Sequence, residues 1–302
     1  MEYYEFIEAV KEKLQDICGD EFVIEAAQTM KNNSVMFRGI SIREKDSKIA
    51  PTIYLEDLYT DHCDGRDFEE IVNEVLRIYS VSRKGPDFDA GLFSDFSWVR
   101  DRIFCKLINC RANAGLLSEV PHYRFLDLAV IYCVLADDND GTISSITIKN
   151  DHLKLWETDE EEIRKCAIRN TPVLLPASIV SIGQILNDMV GADPVYSDSI
   201  PMYVLTNKNR SNGATAMLYN DVIGDFADNI HSDLYIIPSS VHELILVPDT
   251  DEMDPDVLSG MIAEVNDTQL APEELLSYSL YRYSRADQSI RIAGADKKAA
   301  AY

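Results

Sequence analysis

Residues Asp228 to Asp249 read D-N-I-H-S-D-L-Y-I-I-P-S-S-V-H-E-L-I-L-V-P-D, two short apolar runs around a polar centre. Leu234–Ile237 and Leu244–Val247 are continuous runs rather than alternating ones, which is the pattern of strands covered on both faces. The core of the second half is therefore expected here. Between the runs Pro238 withholds a backbone donor. Ser239, Ser240, His242 and Glu243 set four polar side chains beside that core, so the centre is either a site or a well-satisfied turn.

Upstream, Met202–Leu205 and Ala214–Leu218 flank a loop containing Asn212-Gly213, a dipeptide suited to the positive φ of a hairpin turn. Asn220 then predicts a cap for a short helix carrying Val222, Ile223, Phe226, Ala227 and Ile230. Downstream, Asp254-Pro255 is a cap with proline at the first helical position, and Val257, Leu258, Met261, Ile262 and Val265 continue the helix. Ser277–Tyr283 alternates and predicts an edge strand. Arg285–Tyr302 has no apolar period and predicts a mobile tail.

The first half follows the same rules. Tyr3, Phe6, Ile7, Val10, Leu14 and Ile17 recur at helical spacing up to Gly19. Phe22–Met30 and Val35–Glu44 predict a β-hairpin, and Asp67 with Glu70 caps a helix carrying Phe68, Ile71, Val72, Val75, Leu76 and Tyr79. Phe93–Arg102 is expected as a helix, with Ile103–Asn109, Phe125–Leu135 and Ile143–Ile148 as strands and Asp137–Gly141 as a turn. Thr158 with Glu161 predicts a capping box, Asn170-Thr171-Pro172 a helix end, and Ser178 to Gly191 a further helix.

Breaks in pattern at Ser80–Pro86 and Gly191–Pro201 divide the chain into residues 1–84, 85–192 and 193–284, with 285–302 as the tail. Adjacent strand pairs alternating with helices give an α+β architecture, β-hairpins and antiparallel sheets covered by amphipathic helices.

Composition narrows function by exclusion. The chain has 302 residues, 46% hydrophobic and 26% charged, and a formal net charge of −24. That charge repels phosphate backbones, so nucleic acid is not an expected partner and a basic protein is a possible one. No apolar run reaches the roughly 20 residues of a membrane helix. The acidic start M-E-Y-Y-E-F-I-E is unlike a signal peptide, and a cytoplasmic place is expected. Cys18, Cys63, Cys105, Cys110, Cys133 and Cys166 lack C-x-x-C spacing and are expected to be reduced and structural.

Two constellations invite chemistry. Ser240, His242 and Glu243 are the candidate catalytic set, because a nucleophilic hydroxyl needs a base within hydrogen-bond reach and a third group to orient it. In a strand, however, His242 and Glu243 point to opposite faces, and Ser240 lies roughly 6.6 Å from His242 along the chain. There is also no G-x-S-x-G elbow. His231, Asp233 and His242, with Asp249, form the candidate metal set, but the second histidine of a zincin helix is missing. His62, with Asp61, Cys63 and Asp64 beside it, invites a metal reading in the same way and is expected in a solvated loop, while His122 and His152 lack a local partner set. Asp137–Asp140 lacks the spacing of an EF-hand, Asp159–Glu162 suits the first turn of a helix, and Asn207–Gly213 lacks P-loop spacing. No cofactor is implied.

Several words are similar to a bacterial family, domain of unknown function 5688: Thr52–Asp57, Lys106–Asn109, Val120–His122, Leu126–Ala129, Asn170-Thr171, Pro238–Glu243 and Glu264–Asn266. The resemblance runs from the first helix to about Tyr283. Asp127 to Asn170 also resembles a second bacterial family of unknown function. Neither resemblance implies an activity. A well-patterned fold without a self-sufficient catalytic set leads to the expectation of a non-catalytic binding or adaptor protein. The alternatives are a hydrolase or metal-dependent enzyme centred on Pro238–Glu243, or an inhibitor whose acidic face occupies a basic protein.

Overall fold

The computed structural model describes residues 1–45, 50–82, 91–139, 142–185, 201–250 and 254–294. It divides into two compact units, Met1–Phe88 and Asp89–Tyr302. In the first, helix α1 (Tyr3–Cys18) buries Phe6, Ile7, Val10 and Leu14 and stops at Gly19, whose φ of 74° leaves the helical region. Strands β1 (Phe22–Met30) and β2 (Met36–Glu44) pair antiparallel from Phe22↔Glu44 to Met30↔Met36, and β3 (Thr52–Tyr54) joins β2. Ile24, Ile40, Ile42 and Ile53 form one core with α1, α2 (Glu56–Cys63) and α3 (Phe68–Ser82). Asp67 caps α3, its Oδ1 accepting from Glu69 N at 2.9 Å and Glu70 N at 3.4 Å.

The second unit holds two antiparallel sheets. After the short helix α4 (Phe96–Val99), β4 (Ile103–Asn109) pairs along one edge of the long β6 (Leu128–Asn139). Along the other edge lie β5 (His122–Phe125), reached through α5 (Ala114–Leu117), and then β7 (Thr142–Thr147). Helices α6 (Asn150–Leu155) and α7 (Glu160–Leu174) follow.

The other sheet has the order β13-β12-β10-β11-β9-β8. Its members are β8 (Ala177–Ser181), β9 (Tyr203–Asn207), β10 (Leu234–Ile237), β11 (Leu244–Pro248), β12 (Tyr281–Ser284) and β13 (Ser289–Ile292). Helix α8 (Val222–Asn229) precedes β10, and α9 (Pro255–Thr268) follows β11.

The two apolar runs of the opening stretch are the central pair β10 and β11, as their composition requires. Leu234, Ile236, Leu244 and Leu246 pack in one core with Cys105, Leu107, Val130 and Tyr132 of the other sheet. On the reverse face Tyr235 and Val247 pack with Leu258 and Ile262 of α9. The architecture is α+β with antiparallel sheets under helices. No helix among the described residues is long and apolar enough to cross a membrane.

Several local expectations are corrected, each for a physical reason. Residues 214–218 are not a strand: Gly213–Leu218 is a buried 3-10 helix, because both edges of β9 are already taken by β8 and β11. Asn212 does hold the positive φ, 53°. Ala177–Ser181 pairs with β9 as β8, and the helix expected from Ser178 begins only at Ile182; its expected end at Gly191 lies outside the described residues, as do most of the 80–86 and 191–201 breaks and part of the 137–141 turn.

Leu126 at φ 57° splits the expected 125–135 strand into β5 and β6. Phe93–Arg102 breaks into short turns where Asp95 caps α4 through Ser97 N. The cap before α7 is Asp159, not Thr158, and α7 passes Pro172 to Leu174. Asp221 rather than Asn220 precedes α8.

Tyr281–Ser284 is an inner strand between β10 and β13, not an edge. The first part of the expected tail forms β13, whose Ile290 and Ile292 pack on the main core, and Arg285 pairs with Asp228. Residues 295–302 lie outside the described ones. Deleting 285–302 therefore exposes the edge of β12 and uncovers apolar side chains. Thermal unfolding of that truncation is expected to fall by more than about 5 °C, and an unchanged midpoint would show that β13 adds nothing.

Candidate functional site

The Pro238–Glu243 segment is a loop between β10 and β11, and its polar groups close on one another. Ser240 Oγ accepts from His242 N at 3.0 Å, and Ser240 N donates to Glu243 O at 3.1 Å. Thr206 Oγ1 donates to His242 O at 2.7 Å, and Val241 N to Glu274 O at 2.8 Å. His242 Nδ1 accepts from Asn212 N at 3.2 Å, which places the proton of the neutral ring on Nε2, 3.7 Å from Glu274 Oε1. Ser240 is buried and His242 and Glu243 are half-buried. The serine oxygen and the imidazole thus serve different partners, each holding backbone of this loop or its neighbour.

The metal candidates likewise have separate partners. Arg282 bridges Asp233 (Nη2 to Oδ2, 2.9 Å) and Asp249 (Nε to Oδ2, 2.6 Å), tying β12 to the residue before β10 and the residue after β11. His231 is exposed at φ 57°. Among the described residues no group of three or more His, Cys, Asp and Glu side chains is arranged to hold a metal ion. His62 is not in a solvated loop but in α2, half-buried and stacked on Phe6 with centroids 5.2 Å apart; His122 Nδ1 lies 3.0 Å from Val120 O, and His152 Nδ1 accepts from Lys149 N at 3.1 Å.

The structure adds a feature that no local motif announced. A cavity of about 720 Å³ opens in the second unit, within the size range of small-molecule sites. Tyr123 and Phe125 of β5, Ile168 and Pro172 of α7, and Met217 and Leu218 of the 3-10 helix give it apolar walls. Cys105, Thr171 and Thr215 supply polar atoms, and Ile223, Asp221, Asp225 and Asp228 line it from α8 and its approach.

The cavity's threonine hydroxyls already serve the fold. Among the described residues β4 has a partner strand on one edge only; on the other, Cys105 N donates to Thr171 Oγ1 at 3.0 Å and Leu107 N to Thr215 Oγ1 at 3.2 Å. Two side chains thus stand in for a missing strand. Tyr219 OH donates to Leu175 O at 2.8 Å, and burial raises its pKa. Burial also pushes the Cys105 thiol up to about 12, so it stays protonated and a poor nucleophile at neutral pH. Iodoacetamide at pH 7 is expected to alkylate exposed Cys63 in the native protein and to spare Cys105 until unfolding. Equal rates at the two would contradict the burial argument.

Sequence reasoning missed this cavity because its lining comes from residues 105 to 290, spread over both sheets and two helices. One local signal was present: Asp221, Asp225 and Asp228 recur at the four- and three-residue steps that share a helix face. Of the words of the family resemblance, Asn170-Thr171 reaches the cavity through Thr171, and others lie at polar ties of the backbone. Asn109 Nδ2 donates to Leu276 O, Asn170 Nδ2 to Arg100 O and Ile103 O, and Asn266 Nδ2 to Ser277 O. Asp127 accepts hydroxyls from Ser277, Ser279 and Tyr281. No curated protein and no solved structure matches the chain. Residues 3–285 match the profile of a family of unknown function, DUF5688, and the chain belongs to that family.

Proposed function

We propose that this is a non-catalytic binding protein of the cytoplasm that takes its ligand in the cavity of the second unit. The observation that carries the reading is the cavity itself: ligand-sized, walled by aromatic and aliphatic side chains, with threonine hydroxyls committed to backbone amides and a thiol held protonated. The test is thermal unfolding against a fragment library. A fragment at 100 times its Kd adds about 2.7 kcal/mol of stability, roughly 5–10 °C for a unit of this size. Hits are expected to stabilise the parent, Ser240→Ala and His242→Ala alike, and to lose their effect in Leu218→Trp, which fills the cavity. A hit that the parent turns over, and that Ser240→Ala and His242→Ala do not, would make the protein an enzyme centred on Pro238–Glu243.

The net charge of −24 supports an adaptor role toward a basic protein surface as a second reading. Exposed charges are screened beyond about 8 Å at physiological ionic strength, so such a complex weakens as salt rises. A partner retained unchanged at high salt would remove this reading.

A further inference from the structure

The chemistry of the cavity's rim names the ligand class. Asp221, Asp225 and Asp228 line one end of the cavity, and all three are exposed. Asp228 is paired, its Oδ1 accepting from Arg285 Nε at 2.7 Å. Asp221 and Asp225 have no side-chain hydrogen bond or ion pair among the described residues, and no lysine or arginine lines the cavity. At another part of the lining Arg164 lies over the Tyr123 ring at 4.3 Å.

Two further observations set Asp221 apart from an ordinary surface carboxylate. It stands at the N-cap of α8 yet makes no side-chain cap bond, so its carboxylate oxygens are not bonded to the amides of the first turn. Its backbone sits at φ 66°, a conformation that costs a residue other than glycine and persists where its surroundings hold it. Asp225 lies four residues on, in the first turn of α8, and its backbone N donates to Asp221 O. Beside them the Tyr283 hydroxyl has its pKa raised by burial and then by Asp228, and it stays a neutral donor.

We propose that the cavity binds a small amphipathic amine: an aromatic or alkyl body among Tyr123, Phe125, Met217 and Ile223, with its cationic end against Asp221 and Asp225. This rests on the reading of the cavity as the ligand site. The apolar walls favour the body by removing its surface from water, and the unpaired carboxylates favour a positive end over a neutral or negative one.

The probe is dansylcadaverine, an aromatic group on an alkyl primary amine, compared with its N-acetylated form, which keeps the body and loses the charge. Fluorescence titration of the full chain is expected to show the amine binding at least 10-fold tighter than the acetylated compound. Asp221→Asn/Asp225→Asn should abolish that preference without lowering the unfolding midpoint, and Leu218→Trp should weaken both compounds. Equal binding of the two by the parent, with both lost in Leu218→Trp, would overturn the amine assignment and leave the cavity as a binding site. Binding of neither, or binding untouched by Leu218→Trp, would overturn both. Displacement of dansylcadaverine by the tripeptide Phe-Lys-Phe but not by free phenethylamine would give the cavity to a protein side chain and overturn the small-molecule assignment.

Discussion

Gly213→Ala is expected to lower stability by about 3 kcal/mol, the upper part of the range for forcing extra atoms into a packed site. A methyl group there would lie 2.3 Å from His242 O, 2.8 Å from Asn207 N and 2.2 Å from Thr206 Oγ1. Two of those atoms are backbone, and the third makes the Thr206–His242 bond that closes the Pro238–Glu243 loop. Nothing at the site can yield without moving β9 or that loop. Roughly 6–12 °C of unfolding midpoint should be lost. Gly260→Ala in α9 is the control, since nothing lies within 4 Å of its added carbon and alanine is the better helix former. Loss of the midpoint in both variants, or in neither, would contradict the packing described.

The second large effect belongs to Asp127. Its carboxylate accepts Ser277 Oγ at 2.6 Å, Ser279 Oγ at 3.0 Å and Tyr281 OH at 2.7 Å, tying the β5–β6 turn to the segment entering β12. Tyr281 and Ser277 are fully buried. Burial first, and then Asp127, raises the Tyr281 pKa, so its phenol is a donor at neutral pH. Asp127→Ala leaves buried hydroxyls without a partner, at about 1–3 kcal/mol for each such group, and a total of about 3–5 kcal/mol is expected. Tyr281→Phe should cost less, because it removes one donor and leaves the carboxylate two. A double-mutant cycle of the two should show a coupling of at least about 0.5 kcal/mol, and strict additivity would mean that Asp127 and Tyr281 act separately.

What was legible in the sequence follows the range of the interactions involved. Apolar period placed α1, α3 and α9, because side chains three and four residues apart report a shared helix face directly, and short runs rich in β-branched and other apolar residues placed β1, β2, β4, β10 and β11. The errors fall where a distant partner decides. Ala214–Leu218 has the composition of a strand but no free edge to join, since β8 and β11 flank β9. Ile179 and Val180 belong to a strand because β9 is there to pair with them. The tail hid β13 because four residues, Arg291 among them, carry too short a period to stand out, and pairing with β12 supplies what the period does not. The cavity was illegible for the same reason at larger scale: Cys105, Thr171, Thr215 and Tyr283 meet only once both sheets are assembled. The serines and histidine near residue 240 drew notice because they are neighbours in sequence, which is how a turn satisfies itself.

Methyl NMR of the second unit's isoleucine, leucine, valine and methionine side chains, in the full chain titrated with dansylcadaverine, tests the central claim most directly. If the cavity is the ligand site, Met217, Ile168, Ile223 and Ile290 shift together and saturate with one dissociation constant, while Val241 and Leu244 beside His242 stay still. Shifts concentrated at Val241 and Leu244, with the cavity methyls silent, would contradict it.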